Sequence, residues 1–259
     1  MSEPLAPGDH VVLVDAKRRR YMIVLAPGGR FHSHSGFIPH DQLIGALDGA
    51  SIKASNGSRY DVTRPSLSDR VVLMPRGAQV IYPKDLSAIL MAADIYQGAR
   101  VLEAGVGSGA LSMALLRAGA DVVGYEIRPD FASRAAANVA DFIGADAHYE
   151  IRLNDIYEGI DERDLDRVLL DLPEPWRVVP HAQAALRPGG ILLSYLPTIN
   201  QVATLHEALN HSSFGIAETF EVLWRTWHID GASVRPDHRM VAHTGFITHA
   251  RLLHDTSPS

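Results

Sequence analysis

The 259-residue chain contains no cysteine, which excludes disulfides, thiolate metal sites and a cysteine nucleophile. No apolar run reaches the length of a membrane span, and the N-terminus lacks a basic stretch followed by an apolar core. We therefore expect a soluble, unprocessed, cytoplasmic protein with no membrane partner. Positive charge is scarce as well: 24 Lys and Arg stand against 30 Asp and Glu, a net charge of −6. That balance excludes a surface coated in basic residues to hold nucleic acid nonspecifically, and leaves room for a local basic face. Residues 1–75 hold nine Lys/Arg and seven Asp/Glu, the remainder fifteen and twenty-three, so the cationic end is the N-terminal one. What the chain has is apolar material, 46% of its residues, enough for one large domain or a catalytic domain with a small companion.

The first part reads as strands. Residues 10–14 and 21–25 are apolar runs joined by the basic turn Asp15-Ala-Lys-Arg-Arg-Arg20, and residues 50–64 form a second hairpin around Ser55-Asn-Gly-Ser58. The turn residues Lys17–Arg20 either contact phosphates or are simply a solvated tip. Three histidines, His32, His34 and His40, fall in one segment, but only Asp41 adds a ligand at metal-site spacing, so this segment reads as a polar loop. Residues 1–75 thus form a small β-rich module, a compact barrel or sandwich.

Residues 76–259 read differently. Pro83 suits the first turn of a helix and Asp85 its positive end, and Leu86, Ile89, Leu90 and Ala93 then repeat at helical spacing. Apolar runs at 101–104, 122–125, 149–153, 167–172 and 190–196 alternate with helix-like stretches at 109–118, 130–142, 175–186 and 199–211. This is the α/β pattern of a doubly wound, mostly parallel sheet, whose ligands collect beyond the carboxyl ends of its strands. The tail changes character: residues 221–228 and 243–253 read as two long strands joined by Arg235–Met240, an antiparallel hairpin at the sheet's edge.

The chain is organised around Arg100-Val-Leu-Glu-Ala-Gly-Val-Gly-Ser-Gly-Ala-Leu-Ser112, a strand, a glycine turn and a helix start. Gly105, Gly107 and Gly109 let a ligand approach the backbone, and the first helical amides face the crevice. Glu126, about 20 residues beyond the turn, stands where a ribose-binding carboxylate belongs. Two nucleoside ligands fit. A dinucleotide pattern is met by Gly105, Gly107 and Ala110; the pattern E/DxGxGxG of S-adenosylmethionine sites is met by Glu103, Gly105, Gly107 and Gly109. Further groups gather at strand ends: Glu103, Glu126, Asp155, Asp171 and Tyr195. Gln79 and Tyr82 precede the first helix.

With Glu103–Gly109, Glu126, Asn154-Asp155 and Asp171-Leu-Pro173 in place, the chain resembles the class I S-adenosylmethionine-dependent methyltransferases. Through Arg76–Asp85 with its Tyr82-Pro-Lys-Asp85, Asp171-Leu-Pro-Glu-Pro-Trp176, Ser194-Tyr-Leu-Pro197 and Arg235–Phe246, it resembles more narrowly the bacterial and archaeal tRNA (adenine-58-N1)-methyltransferases, over nearly its whole length. That resemblance implies methyl transfer from S-adenosylmethionine to N1 of adenine 58 in the tRNA T-loop, by a homotetramer without a metal. It implies that Gln79 and the backbone of Gly105, Val106, Gly107, Ser108 and Gly109 hold the methionine end of the cofactor together with Glu103. Glu126 is expected to bind the ribose and Asp155 the cofactor's adenine. Asp171 is expected to accept a hydrogen bond from the exocyclic amine of the target base, and Tyr195 and Tyr82 to orient that base. Lys17–Arg20 and Arg76 are expected to grip tRNA phosphates across subunits. Three alternatives stand beside this: a methyltransferase of another RNA or a small molecule, a nonenzymatic tRNA-binding subunit, and an NAD oxidoreductase.

Overall fold

A computed structural model of the chain describes residues 3–34, 36–75, 77 and 79–254. The chain divides into two compact units, Met1–Pro75 and Arg76–Ser259.

The first unit contains β1 (His10–Asp15), β2 (Arg20–Val24), β3 (Arg30–Ser33), β4 (Gly36–Pro39), β5 (Ser51–Lys53), β6 (Arg59–Thr63) and α1 (Leu67–Leu73). An antiparallel sheet runs β2-β1-β6-β5, and β3 pairs with β4 in a separate ribbon. In β6, Tyr60 and Val62 point inward while Arg59 and Asp61 point out, the two-residue period of a strand with one wet face. The inward residues join Leu5, Val11, Leu13, Leu25, Ile38 and Leu43 in one core. The histidine segment is therefore a β-ribbon and not a polar loop: Phe31 packs on Tyr21 and Tyr60, and His40 is buried, accepting from the Ala26 amide at 3.1 Å. Among the described residues no cluster could hold a metal ion. Helix α1 was not anticipated. It is started by a capping box in which Ser66 Oγ accepts from the Asp69 amide and Asp69 accepts from the Ser66 amide, satisfying two otherwise orphaned donors.

The basic turn is only half available. Asp15 accepts from the amides of Lys17 and Arg19 and from the Arg19 side chain at 2.7 Å, and Arg20 pairs with Asp69. All four cations of the tip are exposed, and Arg19 and Arg20 are the two held in ion pairs among the described residues. Arg76 lies outside the described residues.

The second unit contains α2 (Pro83–Ala92), β7 (Arg100–Ala104), α3 (Ala110–Arg117), β8 (Asp121–Tyr125), α4 (Pro129–Phe142), β9 (Tyr149–Arg152), β10 (Leu165–Leu170), α5 (Val179–Ala185), β11 (Leu186–Leu196), α6 (Ile199–Asn210), β12 (Phe214–Phe220), β13 (Trp227–Asp230), β14 (Ser233–Pro236) and β15 (Phe246–Leu252). Seven strands form one sheet in the order β12-β15-β11-β10-β7-β8-β9. The five from β11 to β9 are parallel, and β15 and β12 close the edge antiparallel. Every residue of β10 is buried, as a central strand covered on both faces requires. The edge differs in detail from the sequence reading. Its outer strand is Phe214–Phe220, and residues 221–245 leave the sheet on an excursion that carries the hairpin β13–β14. Leu223, Trp224, Trp227, Ile229 and Val234 are exposed there, so the apolar pattern at 221–228 marks surface side chains rather than a core strand. The stretch 175–186 is likewise split, a 3-10 turn at Pro175–Val178 preceding α5.

Candidate active site

The carboxyl ends of β7 and β10 lie side by side, Ala104 paired with Leu170. Sheet order reverses here: from β7 the chain steps outward through β8 and β9, then returns to the opposite flank as β10. The loops leaving β7 and β10 diverge, and a crevice opens between them. The glycine turn rises from β7, and Asp171 starts the loop from β10, its amide donating to the Ala104 carbonyl at 3.0 Å. A Cβ on Gly105 would overlap the Asp171 carbonyl oxygen, so turn and acid pack backbone to backbone. Gly107 has φ +56, and a Cβ there would meet only the Gly105 carbonyl oxygen at 3.9 Å. The tip of the turn is thus bare toward the crevice. Its amide donates to Glu126 Oε2 at 3.1 Å, while the Arg128 amide donates to Oε1 at 3.0 Å. Val106 and Ser108 are buried beneath the turn, and Asn138 holds it by donating to the Ser108 carbonyl at 3.0 Å.

Two hollows flank this backbone. One, of about 50 Å³, is lined by Gly105, Glu126, Asn154, Asp155 and Leu172 among others; Asp155 Oδ1 accepts from the Tyr157 amide at 2.9 Å. The other, of about 520 Å³, is bounded by residues 79–82, Asp171, Tyr195, Pro197, His243 and Thr244. Its volume is that of a small-ligand site. Among the described residues nothing donates a hydrogen bond to the Asp171 carboxylate, and the walls around it leave too little water to charge it cheaply: burial pushes it up to about 7. Asp171 does not cap the following 3-10 turn, whose N-cap position is Glu174. A third hollow, of about 370 Å³, lies at the amino ends of β7 and β8 near Arg100, Asp121 and His148, remote from the glycine turn.

Glu103 borders neither flanking hollow. It is wholly buried; Ser112 Oγ donates to its Oε2 at 2.6 Å, Tyr149 OH donates to Ser112 Oγ at 2.9 Å, and Oε1 has no partner. Burial, opposed by the Ser112 bond and reinforced by the nearby Asp171 and Glu126, pushes its carboxyl up to about 8. Its place is behind the turn, bracing the start of α3.

Residues 65–236 match the family of the tRNA methyltransferase complex GCD14 subunit, and residues 4–52 match the TrmI-like N-terminal family. The chain is 37% identical to the tRNA (adenine(58)-N(1))-methyltransferase TrmI of Thermus thermophilus, over 93% of this chain and 96% of that one. The chain belongs to the tRNA (adenine-58-N1)-methyltransferase family. Among solved structures, a SAM-dependent O-methyltransferase of Thermotoga maritima superposes with TM-score 0.94 at 34% identity, covering 98% of this chain and 96% of that one. The tRNA (m1A58) methyltransferase TrmI of Aquifex aeolicus does so with TM-score 0.89 at 28% identity, covering 98% and 100%.

In this family member the structure gathers Gln79, Tyr82, Asp171 and Tyr195 around the larger hollow and Gly105, Glu126 and Asp155 around the smaller. It adds residues that the sequence reading passed over. Lys84 and Asp85, read as part of a family segment and a helix start but not as site residues, are buried as an ion pair at 2.7 Å. Thr244 donates to Asp85 Oδ2 at 2.6 Å, and Tyr195 OH reaches the same oxygen at 3.3 Å. His243, at the rim, bonds Glu221 through Nδ1 at 2.9 Å and the Pro197 carbonyl through Nε2 at 3.1 Å, and the Glu221 bond raises its pKa. The signal available was the charge pair inside Tyr82-Pro-Lys-Asp85, next to an otherwise apolar helix; burial was not legible from it.

Proposed function

We infer that this chain is an S-adenosylmethionine-dependent tRNA methyltransferase that modifies N1 of adenine 58 in the T-loop. The observation that carries the reading is the Asp171 carboxylate, without a bonding partner among the described residues, at the junction of the glycine turn and a base-sized hollow edged by two tyrosines. The donor set suits the cofactor: Gly107 leaves its ligand-facing side bare, and Glu126, with two backbone bonds, keeps acceptor capacity for ribose hydroxyls. When bound, S-adenosylmethionine supplies an electrophilic methyl group on a sulfonium sulfur. The turn from Gly105 to Gly109, Gln79, Glu126 and Asp155 bind and orient it, and Asp155 has the acceptor needed for an adenine amine.

Adenine N1 attacks with its own lone pair, so no strong base is needed beforehand and alignment supplies most of the rate. Methylation at N1, with the C–S electron pair leaving on sulfur, would spread positive charge to the exocyclic amine. Asp171 accepts a hydrogen bond from that amine and can take its proton, an interaction stronger in the transition state than before it. The reacting edge is the pairing edge, so the base must be turned out of the tRNA, at about a few kcal/mol, and Tyr82 and Tyr195 receive it.

The enzyme assembles as a homotetramer in the cytoplasm, where its tRNA substrate is. Assembly is supported by the excursion at 221–245: among the described residues β13 and β14 pair only with each other, and they expose Trp227, Ile229 and Val234. An isolated two-stranded hairpin is marginal in water, and a second copy is the cover it needs. No helix among the described residues is long and apolar enough to cross a membrane.

The test is incubation of unmodified tRNA with labelled S-adenosylmethionine and wild type or Asp171→Ala, followed by mass spectrometry of T-loop nucleosides. Wild type should form 1-methyladenosine at position 58 and the variant should form it about 10²-fold more slowly. No product from wild type, or full activity in the variant, would overturn the reading. Light scattering after size exclusion tests the tetramer.

A further inference from the structure

Tyr195 is held more tightly than a pocket-lining side chain needs to be. Its ring lies directly against the backbone of Gly245: a Cβ there would overlap the ring carbon that bears the hydroxyl and come within 2.7 Å of the hydroxyl oxygen. Its hydroxyl points to Asp85 Oδ2 at 3.3 Å. Asp85 is itself fixed, accepting from Lys84 Nζ at 2.7 Å on one oxygen and from Thr244 Oγ1 at 2.6 Å on the other. Lys84 spends all three protons, on Asp85, on the Val222 carbonyl at 2.7 Å and on Thr244 Oγ1 at 2.6 Å. Three segments distant in sequence are thereby tied together behind one phenol. A buried ion pair is poor value as mere stabilisation, because desolvating two charges offsets most of their attraction. It does fix geometry.

We propose that Lys84, Asp85 and Thr244, with the bare backbone of Gly245, form a seat that sets the plane of the Tyr195 ring as an aromatic wall for the acceptor base. The hydroxyl is committed inward, so the ring, and not a proton, is what Tyr195 offers the substrate. Burial also pushes this phenol above its ordinary range, consistent with a group that stays protonated. Lys84, Asp85, Thr244 and Gly245 are positioning residues in this scheme. It rests on the reading of the larger hollow as the acceptor site.

Four proteins test it: wild type, Gly245→Ala, Tyr195→Ala and the double variant. Gly245→Ala should lose at least about ten-fold in kcat/KM for unmodified tRNA, since sub-ångström to ångström misplacement is enough, while S-adenosylmethionine affinity by calorimetry stays within about two-fold. In the Tyr195→Ala background the same change should add less than about two-fold, because no ring is left to displace. Multiplying losses, or a Gly245→Ala enzyme as fast as wild type, would overturn the seat. Tyr195→Phe should fall far less than Tyr195→Ala; equal losses would show the hydroxyl to be the working group and overturn the wall. Ultraviolet titration reads the seat without substrate. The difference between wild type and Tyr195→Phe should show a phenol ionising above the ordinary range, and Gly245→Ala should return it toward that range; an unshifted wild-type phenol would overturn the seat. Wild type that binds S-adenosylmethionine and shows this phenol but makes no 1-methyladenosine would instead sink the substrate assigned above.

Discussion

The cofactor-free Glu103→Gln protein should gain stability relative to the wild type as pH rises, overtaking it on the alkaline side. The Glu103 carboxyl is wholly buried, bonded only through Oε2 to Ser112, and titrates at about 8 in the folded chain against 4.5 ordinarily. Across that interval the folded state holds the proton more tightly than the unfolded chain does. Stability therefore falls as pH climbs from about 4.5 to about 8 and levels off above it. At 1.36 kcal/mol per pH unit, moving from about pH 5.5 to about pH 8.5 should cost the wild type on the order of 3 kcal/mol through this group. Glutamine does not titrate. Its carbonyl can keep the Ser112 bond, and its amide replaces the unpartnered oxygen at a fixed penalty of about 1–3 kcal/mol, the same at both pH values. Urea midpoints and slopes of the two proteins, measured at both pH values and one protein concentration so that assembly contributes equally, give the comparison. The stability of the variant relative to the wild type should rise by on the order of 3 kcal/mol between the two conditions. Parallel pH dependences would refute the argument, because they would mean that Glu103 exchanges no protons on folding.

Further outcomes follow from the same geometry. Because the ionised Asp171 carboxylate is the acceptor and burial holds it near 7, kcat/KM should rise as pH increases through about 7 and then level; Asp171→Asn should abolish that limb, and a variant retaining it would place the titrating group elsewhere. Gly107→Val puts a branched side chain at φ +56 on the bare side of the turn. S-adenosylmethionine binding by calorimetry should be lost with the circular-dichroism spectrum preserved, whereas wild-type affinity would show that the ligand does not cross this point. Replacing Lys17 and Arg18 with alanine, sparing the ion-paired Arg19 and Arg20, should weaken tRNA binding and reduce its log–log salt slope by about one to two. An unchanged slope would remove the tip from the tRNA interface.

What the sequence determined by itself is what local rules govern. Three glycines at alternate positions after an apolar run mark a tight strand-to-helix turn, whose use by a ligand had to be argued from the rest of the chain, and alternation of apolar strands with amphipathic stretches is enough for a parallel sheet. Since ligands gather at strand ends in such a sheet, Glu126, Asp155 and Asp171 were legible as site candidates before any coordinates, and the structure sets them on two sides of one turn. Burial was not legible, because it depends on residues far away along the chain. Glu103 reads like the other strand-end acids, yet its strand ends under α3, and it is sealed in. The exposed tryptophans of 221–245 read like a sheet strand, because an apolar pattern says that a side chain wants covering and not what covers it. Lys84 and Thr244 stand 160 positions apart. Only the closing of the sheet by β15, antiparallel beside β11, brings Thr244 and Gly245 to Tyr195, and a contact made by topology leaves no periodicity for a sequence to show.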